Sequence, residues 1–244
     1  MHDDDVPVGR LFTRREVLTL LGVTAGSLAA GMPFDPLARS QAEGLPRCIV
    51  RPEQTEGPFF IDERLSRSDI RTDPSTGALS AGARLDLAFD VTRLSGATCR
   101  AVPGARVDVW HCDARGAYSD VADSEFDTAG QKFLRGHQLT NAEGRARFTT
   151  IYPGWYRGRA VHIHFKVRTE PDAARGHEFT SQVYFDDAVT DRVHKLAPYA
   201  ARGVRELRNS RDGLFRQGGS QLLIAPTRSR AGYEATFALA LDLG

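Results

Sequence analysis

His162 and His164 stand two residues apart in Val161-His-Ile-His-Phe-Lys-Val167, where they alternate with Val161, Ile163, Phe165 and Val167. A period-two alternation of this kind predicts a β-strand. Successive strand side chains point to opposite faces, so the apolar set can bury in a core while both imidazoles project together on the other side. Two imidazoles so placed can hold a metal ion, or can be polar residues on a wet sheet face; their spacing alone serves both readings. Just upstream, Tyr156 follows a Pro153-Gly154 turn and Arg159 stands three residues before His162. A second tyrosine, Tyr118, follows the short loop Asp113-Ala-Arg-Gly116 behind a strand expected from Arg106 to His111.

Together these segments resemble the intradiol ring-cleavage dioxygenases, the protocatechuate- and catechol-type enzymes that use non-haem Fe(III). That family carries one ligand tyrosine in a Gly-x-Tyr element after a strand, a second after a Pro-Gly turn, and then an Arg-x-x-His-x-His strand. All three occur here in that order. The resemblance runs from about Cys48 to the last strand and is densest from Val102 to Val167. It implies an iron site made by Tyr118, Tyr156, His162 and His164. It also makes Tyr156 the axial ligand, which leaves the metal and takes up a substrate proton when a catechol binds. Arg159 matches the family arginine that stabilises charge developing on the ring, a role that suits a fixed guanidinium. Gln182, in Ser181-Gln-Val-Tyr-Phe185, matches a glutamine that backs the site in catechol-type enzymes. The implied reaction joins a catechol-type diol and O2 to give a cis,cis-muconic acid.

Arg51-Pro-Glu-Gln-Thr-Glu-Gly-Pro-Phe-Phe60 resembles the family's Thr-x-Gly-Pro-aromatic-aromatic segment, which lies over the active site. On that basis Thr55, Gly57, Pro58 and Phe59 are expected at the substrate pocket, together with Trp155 beside Tyr156; an apolar plug at a sheet edge is the plainer use of the same residues. Many relatives carry tyrosines where this chain has Phe59 and Phe60. The missing hydroxyls favour plain, alkylated or lignin-derived catechols over carboxylated ones.

The chemistry of the donor set points the same way. Two phenolates and two imidazoles are hard ligands with two negative charges, and suit Fe(III) better than zinc. A free tyrosine titrates near a pKa of about 10, and a trivalent cation would depress that value enough to keep the ligand ionised. His111, His137, His177 and His194 are left outside the set, with a structural hydrogen bond expected for His111 and a surface helix for His194. Two other readings stay open. Val102-Pro-Gly-Ala-Arg-Val-Asp-Val-Trp110 also resembles transthyretin-like binding modules, which would have no use for the tyrosine pair. A zinc or copper enzyme could use His162 and His164 alone.

The elements that must position these groups are short strands. Leu85 to Val91, Arg106 to His111, Phe133 to Thr140, Ala146 to Ile151, Thr180 to Phe185, Gln221 to Ala225 and Tyr233 to Leu243 all carry strand patterns, separated by turn signals. A short helix capped by Thr190 or Asp191 is expected to run through Lys195. The fold class is therefore all-β, a single-domain β-sandwich with long loops and little helix, over residues 43–244. Residues 1–42 are expected to be a twin-arginine signal peptide, with Thr13-Arg-Arg-Glu-Val-Leu18 ahead of an apolar run and a small-x-small cleavage site at Ser40-Gln41-Ala42. The expected partners are thus the twin-arginine export machinery, a small catechol and O2, and the expected location is periplasmic or extracellular. Cys48, Cys99 and Cys112 fit one disulfide and one leftover thiol in an oxidising compartment. The formal net charge of +1 across 244 residues gives no footprint for nucleic acid or an anionic membrane. Whether the protein forms a homo-oligomer is left open.

Overall fold

The computed structural model describes residues 49–243 apart from 96–97, 123–124 and 171–175. The expected leader and Cys48 lie outside the described residues. Two five-stranded sheets pack face to face. Sheet A contains β1 (Arg84–Ser95), β2 (Thr98–Ala101), β5 (Arg145–Ile151), β9 (Thr227–Ser229) and β10 (Gly232–Leu241). Sheet B has the order β4 (Arg135–Leu139), β3 (Arg106–Trp110), β6 (His162–Arg168), β7 (Glu178–Phe185) and β8 (Leu223–Ile224). In sheet A the last strand runs parallel to the first, with Leu85 beside Tyr233 and Phe89 beside Phe237.

Alternation decides the inner faces. Leu85, Leu87, Phe89 and Val91 of β1 are buried, as are Val107 and Val109 of β3 and Ile163, Phe165 and Val167 of β6. Phe89 sits at the centre, with ring centroids 6.1 Å from Phe148, 5.1 Å from Phe165 and 6.0 Å from Phe237. Removing such a ring from a packed core costs about 3–5 kcal/mol, so the strands that meet there are held in fixed register.

The outer face of sheet B is also covered. His162, His164 and Lys166 are 2%, 1% and 5% exposed, because residues 51–67 cross this face as a strap. The strap is tied to β7 by Gln54 N–H to Thr180 O (3.0 Å) and by Ser181 Oγ to Pro52 O (2.8 Å). At the far edge, His137 N–H donates to Leu65 O and Arg67 N–H to His137 O. The histidine face is therefore dry and roofed.

Several boundaries differ from expectation. β2 carries no strong alternation and was not foreseen. Only Leu223–Ile224 of the expected strand at 221–225 is extended, since a 3-10 turn occupies Gly219–Leu222. Helix α1 spans Asp187–Val193 and is capped by Asp186, whose carboxylate accepts from Ala188 N–H (2.8 Å) and Val189 N–H (3.2 Å). The cap falls at the strand end rather than at Thr190 or Asp191 because Asp186 is the first side chain able to meet those free amides. Thr190 instead lies inside the helix, with its hydroxyl 2.7 Å from that of Tyr152. A second short helix, α2, covers Gly213–Arg216.

Candidate active site

Two loops and one strand bring the four predicted ligands together. Asp113 shapes the first loop, its Oδ1 accepting from Arg115 N–H (2.8 Å) and Ala117 N–H (2.9 Å), and so delivers Tyr118 inward. The second loop carries Tyr156 and packs directly on the first. Gly154 N–H donates to Asp113 O (3.1 Å), and a Cβ at 154 would stand 2.5 Å from that same oxygen. Only glycine permits this approach of the two backbones. Strand β6 supplies His162 and His164 on its outer face.

The polar atoms of these side chains crowd together. His162 Nδ1–H donates to Ala160 O at 2.6 Å, which leaves Nε2 as a bare lone pair. Around that lone pair lie His164 Nε2 at 3.0 Å, the Tyr156 hydroxyl at 3.2 Å and the Tyr118 hydroxyl at 3.5 Å. One lone pair cannot accept from three donors at once. A cation ligated by all four atoms removes the conflict, since it needs lone pairs and not protons. Among the described residues no three His, Cys, Asp or Glu side chains gather, so a metal here must draw on the tyrosines.

Electrostatics agree with this requirement. Burial, then the charge of Arg159, holds the His162 imidazole well below its ordinary pKa; burial and then His162 and Arg159 do the same for His164. Both rings are therefore neutral, as ligands must be. Burial and the neighbouring Tyr156 push the Tyr118 phenol well above its usual range. A phenolate at Tyr118 thus requires a strong positive charge beside it, such as a bound metal cation would supply. His164 is held from outside: Trp110 stacks on it with centroids 5.0 Å apart and planes 7° apart, and its buried Nδ1 has no hydrogen-bond partner among the described residues.

Arg159 is buried, 5% exposed, and not a surface ion pair. Its Nε donates to Asp212 Oδ2 (3.0 Å), and its Nη2 donates to Gln182 Oε1 (2.6 Å) and Tyr184 Oη (3.2 Å). The amide of Gln182 reaches the strap at Thr55 O (3.2 Å). The Tyr184 hydroxyl lies 2.9 Å from Gln54 Oε1 and 3.0 Å from Gln182 Oε1, donating to one at a time. Tyr184, Gln54 and Asp212 were not singled out from sequence. Two sit in segments without periodicity, and Tyr184 looks like an ordinary strand residue.

The strap lays aromatic rings on the site. Phe59 stacks on Tyr118 (4.3 Å, 21°) and meets Tyr156 edge-on at 6.1 Å. Phe60 packs on Trp110 at 4.7 Å and under Lys166 Nζ at 4.6 Å. Thr55 Oγ1 accepts from Gly57 N–H (3.2 Å), and Pro58 begins the turn that presents Phe59. Trp155 lies differently: its Nε1 donates to Gly203 O (3.3 Å) and Arg202 covers its ring at 4.8 Å, within the main core. Ion pairs anchor the strap, with Glu56 on Lys166 (2.5 Å), Asp62 on Arg106 (2.5 Å) and Arg168 (2.8 Å), and Glu63 on Lys132.

Two other histidines serve the scaffold. His111 is buried, with Nδ1–H on Cys112 O (2.8 Å) and Nε2 2.6 Å from Thr150 Oγ1. His194 caps α1 and donates from Nε2 to Pro153 O (3.0 Å), steadying the turn before Tyr156. Cys99 is disulfide-bonded, and Cys112 is a free, buried thiol.

A family model described as Dioxygenase matches residues 55–241. The chain belongs to the intradiol ring-cleavage dioxygenase family. It is 27% identical to the catechol 1,2-dioxygenase 1 of Acinetobacter lwoffii over 164 residues, 57% of this chain and 47% of that protein. It is 34% identical to the protocatechuate 3,4-dioxygenase beta chain of Burkholderia cepacia over 107 residues, 39% of this chain and 44% of that one. The chain spans about half the length of the curated relatives it matches. Among solved structures, an intradiol ring-cleavage dioxygenase from Tetranychus urticae superposes with a TM-score of 0.70 at 29% identity, covering 80% of this chain and 95% of that one.

Proposed function

We propose that the protein cleaves a catechol-type diol with O2 between its two hydroxyl-bearing carbons, using Fe(III) held by Tyr118, Tyr156, His162 and His164. The product is a cis,cis-muconic acid derivative carrying both oxygen atoms of O2. The observation that carries this reading is the convergence of two phenol oxygens and the His164 imidazole nitrogen on the one lone pair of His162 Nε2. Bound there, Fe(III) would chelate both catechol oxygens and supply the electron-poor centre through which ring and O2 react.

The two tyrosines are not equivalent. Tyr118 is 4% exposed and pinned under Phe59, while Tyr156 is half-buried. Tyr156, the more exposed of the two, is therefore the phenol assigned to turn aside and accept a substrate proton on its oxygen. Arg159 stays charged. Burial works against its proton, but Tyr156, Tyr184 and Asp212 outweigh it and raise the guanidinium above its ordinary value. A fixed cation beside Tyr156 stabilises negative charge that develops on the bound ring. Phe59, Val121 and Cys112 add apolar surface around Tyr118, which suits an uncharged ring substituent. The same reading includes export through a twin-arginine leader in residues 1–42, after the iron is loaded and the sandwich has folded.

The test is to incubate the iron-loaded protein with catechol under 18O2. The expected product is a ring-opened diacid with two labelled oxygens. Recovery of unlabelled catechol, or of quinone alone, would contradict the proposal.

A further inference from the structure

Asp212 is 0% exposed and stands between the 3-10 turn Asn209–Arg211 and α2. Its two oxygens have separate partners. Oδ1 accepts from Phe215 N–H at 2.9 Å and caps α2. A cap of this kind needs one oxygen, which Ser, Thr or Asn supplies equally well. Oδ2 does something else: it accepts from Arg159 Nε at 3.0 Å and from Ala160 N–H at 2.6 Å. One atom thus holds both the side chain of residue 159 and the backbone that follows it. Ala160 in turn supplies the carbonyl that fixes His162 Nδ1.

The guanidinium is held along one edge. Nε is on Asp212 and Nη2 on Gln182 and Tyr184. The Asp212 segment is itself braced, since Gln54 Nε2 donates to Leu214 O at 2.8 Å and Gln54 Oε1 lies 2.9 Å from the Tyr184 hydroxyl. The circuit from Arg159 through Asp212, Leu214, Gln54 and Tyr184 back to Arg159 is closed. A planar fork held at two nitrogens has one orientation. Without its carboxylate, a buried guanidinium loses its counter-charge and one of those two holds.

We propose that Asp212 is a positioning residue for ring cleavage: its Oδ2 fixes the orientation of the Arg159 guanidinium beside the site, where the ring develops charge. This rests on the dioxygenase reading. Asp212 touches neither substrate nor metal, and acts on the ring through Arg159; its bond to Ala160 N–H is backbone support that a neutral Asn oxygen can also give.

The test is a cycle of wild type, Asp212→Asn, Arg159→Ala and the double variant, all iron-loaded. Iron content, the visible tyrosinate band, anaerobic catechol affinity and turnover are measured for each. Asp212→Asn is expected to keep its iron and its band, and to bind catechol within about threefold of wild type. Turnover falls by at least about tenfold, as a misplaced catalytic group requires. In the Arg159→Ala background the same substitution changes turnover by less than about twofold, because the residue it acts through is gone. If Asp212→Asn does not fold, Asp212→Glu, which keeps the charge and lengthens the arm, is put through the same cycle with the same expected coupling. Equal losses in both backgrounds, or wild-type turnover in the single variant, would overturn the inference while leaving a working dioxygenase. A wild type that cleaves no catechol would instead overturn the reading beneath it.

Discussion

Gly57 lies so close to His164 that a Cβ at position 57 would stand 3.2 Å from the imidazole Cε1. The residue also has φ +71°, a conformation costing about 1–2 kcal/mol for a residue with a side chain. Gly57→Ala should therefore push His164 against Trp110 and loosen the metal set. Iron retention against a chelator should drop by about tenfold or more, in line with other outer contacts to metal ligands. Wild-type iron retention in that variant would mean that the strap does not set the imidazole.

Tyr156→Phe removes one hydroxyl from a half-buried ring that Phe59 and Tyr118 continue to pack. The fold should survive, and turnover should fall by about 10²-fold or more, the usual scale for loss of a proton acceptor. Single-turnover kinetics with catechol check this. Full activity would assign the proton to another group.

Substrate choice follows from the commitments of Lys166 and Arg135, the cations beneath the strap, and from the apolar groups around Tyr118. Lys166 is paired with Glu56 and Glu178, and Arg135 gives its donors to Ser119 and Phe59 O. A ring carboxylate would enter an apolar wall without a partner, at a cost of several kcal/mol. We expect kcat/KM for 4-methylcatechol to exceed that for protocatechuate by about a hundredfold. Preference for protocatechuate would contradict this assignment of the wall.

The strap should respond to acid through Asp62. Partial burial works to raise its carboxyl, but hydrogen bonds from Arg168 and Arg106 prevail and bring it from 3.8 down to about 2. A group depressed on folding adds stability that is complete above its unfolded value and is lost as pH falls through its folded value. Asp62→Asn should thus lower Tm at pH 6, by about 2–4 °C at most, because 32% of the Asp62 side chain stays in contact with screening solvent. The difference should shrink as pH drops from about 4 to 2, and also with added salt. A difference independent of pH would show that the clamp is not ionic.

The candidate metal-site residues were open to sequence reading because their local signals fall in the order of a known family's motifs. His162 and His164 sit on a strict two-residue alternation, Tyr156 follows Pro153-Gly154, and Tyr118 ends a loop punctuated by Gly116. The core faces of β1, β3 and β10 were open to it through the same alternation. What supports Arg159 was not. Asp212, Gln54 and Tyr184 meet Arg159 and one another through pairings 25 to 160 residues apart in sequence, and segments 51–67 and 209–219 carry no period to place Gln54 and Asp212. The resemblance placed the strap over the site, but not the ion pairs, such as Asp62 with Arg106, that tie it down and cover the histidine face.

The most direct measurement is the visible absorption spectrum of the purified protein, with iron quantified on the same sample and catechol then added without oxygen. Fe(III) on Tyr118 and Tyr156 predicts a red-brown charge-transfer band at about one iron per chain, moving to longer wavelength as catechol binds. A protein that stays colourless after iron loading would contradict the tyrosine–histidine iron site.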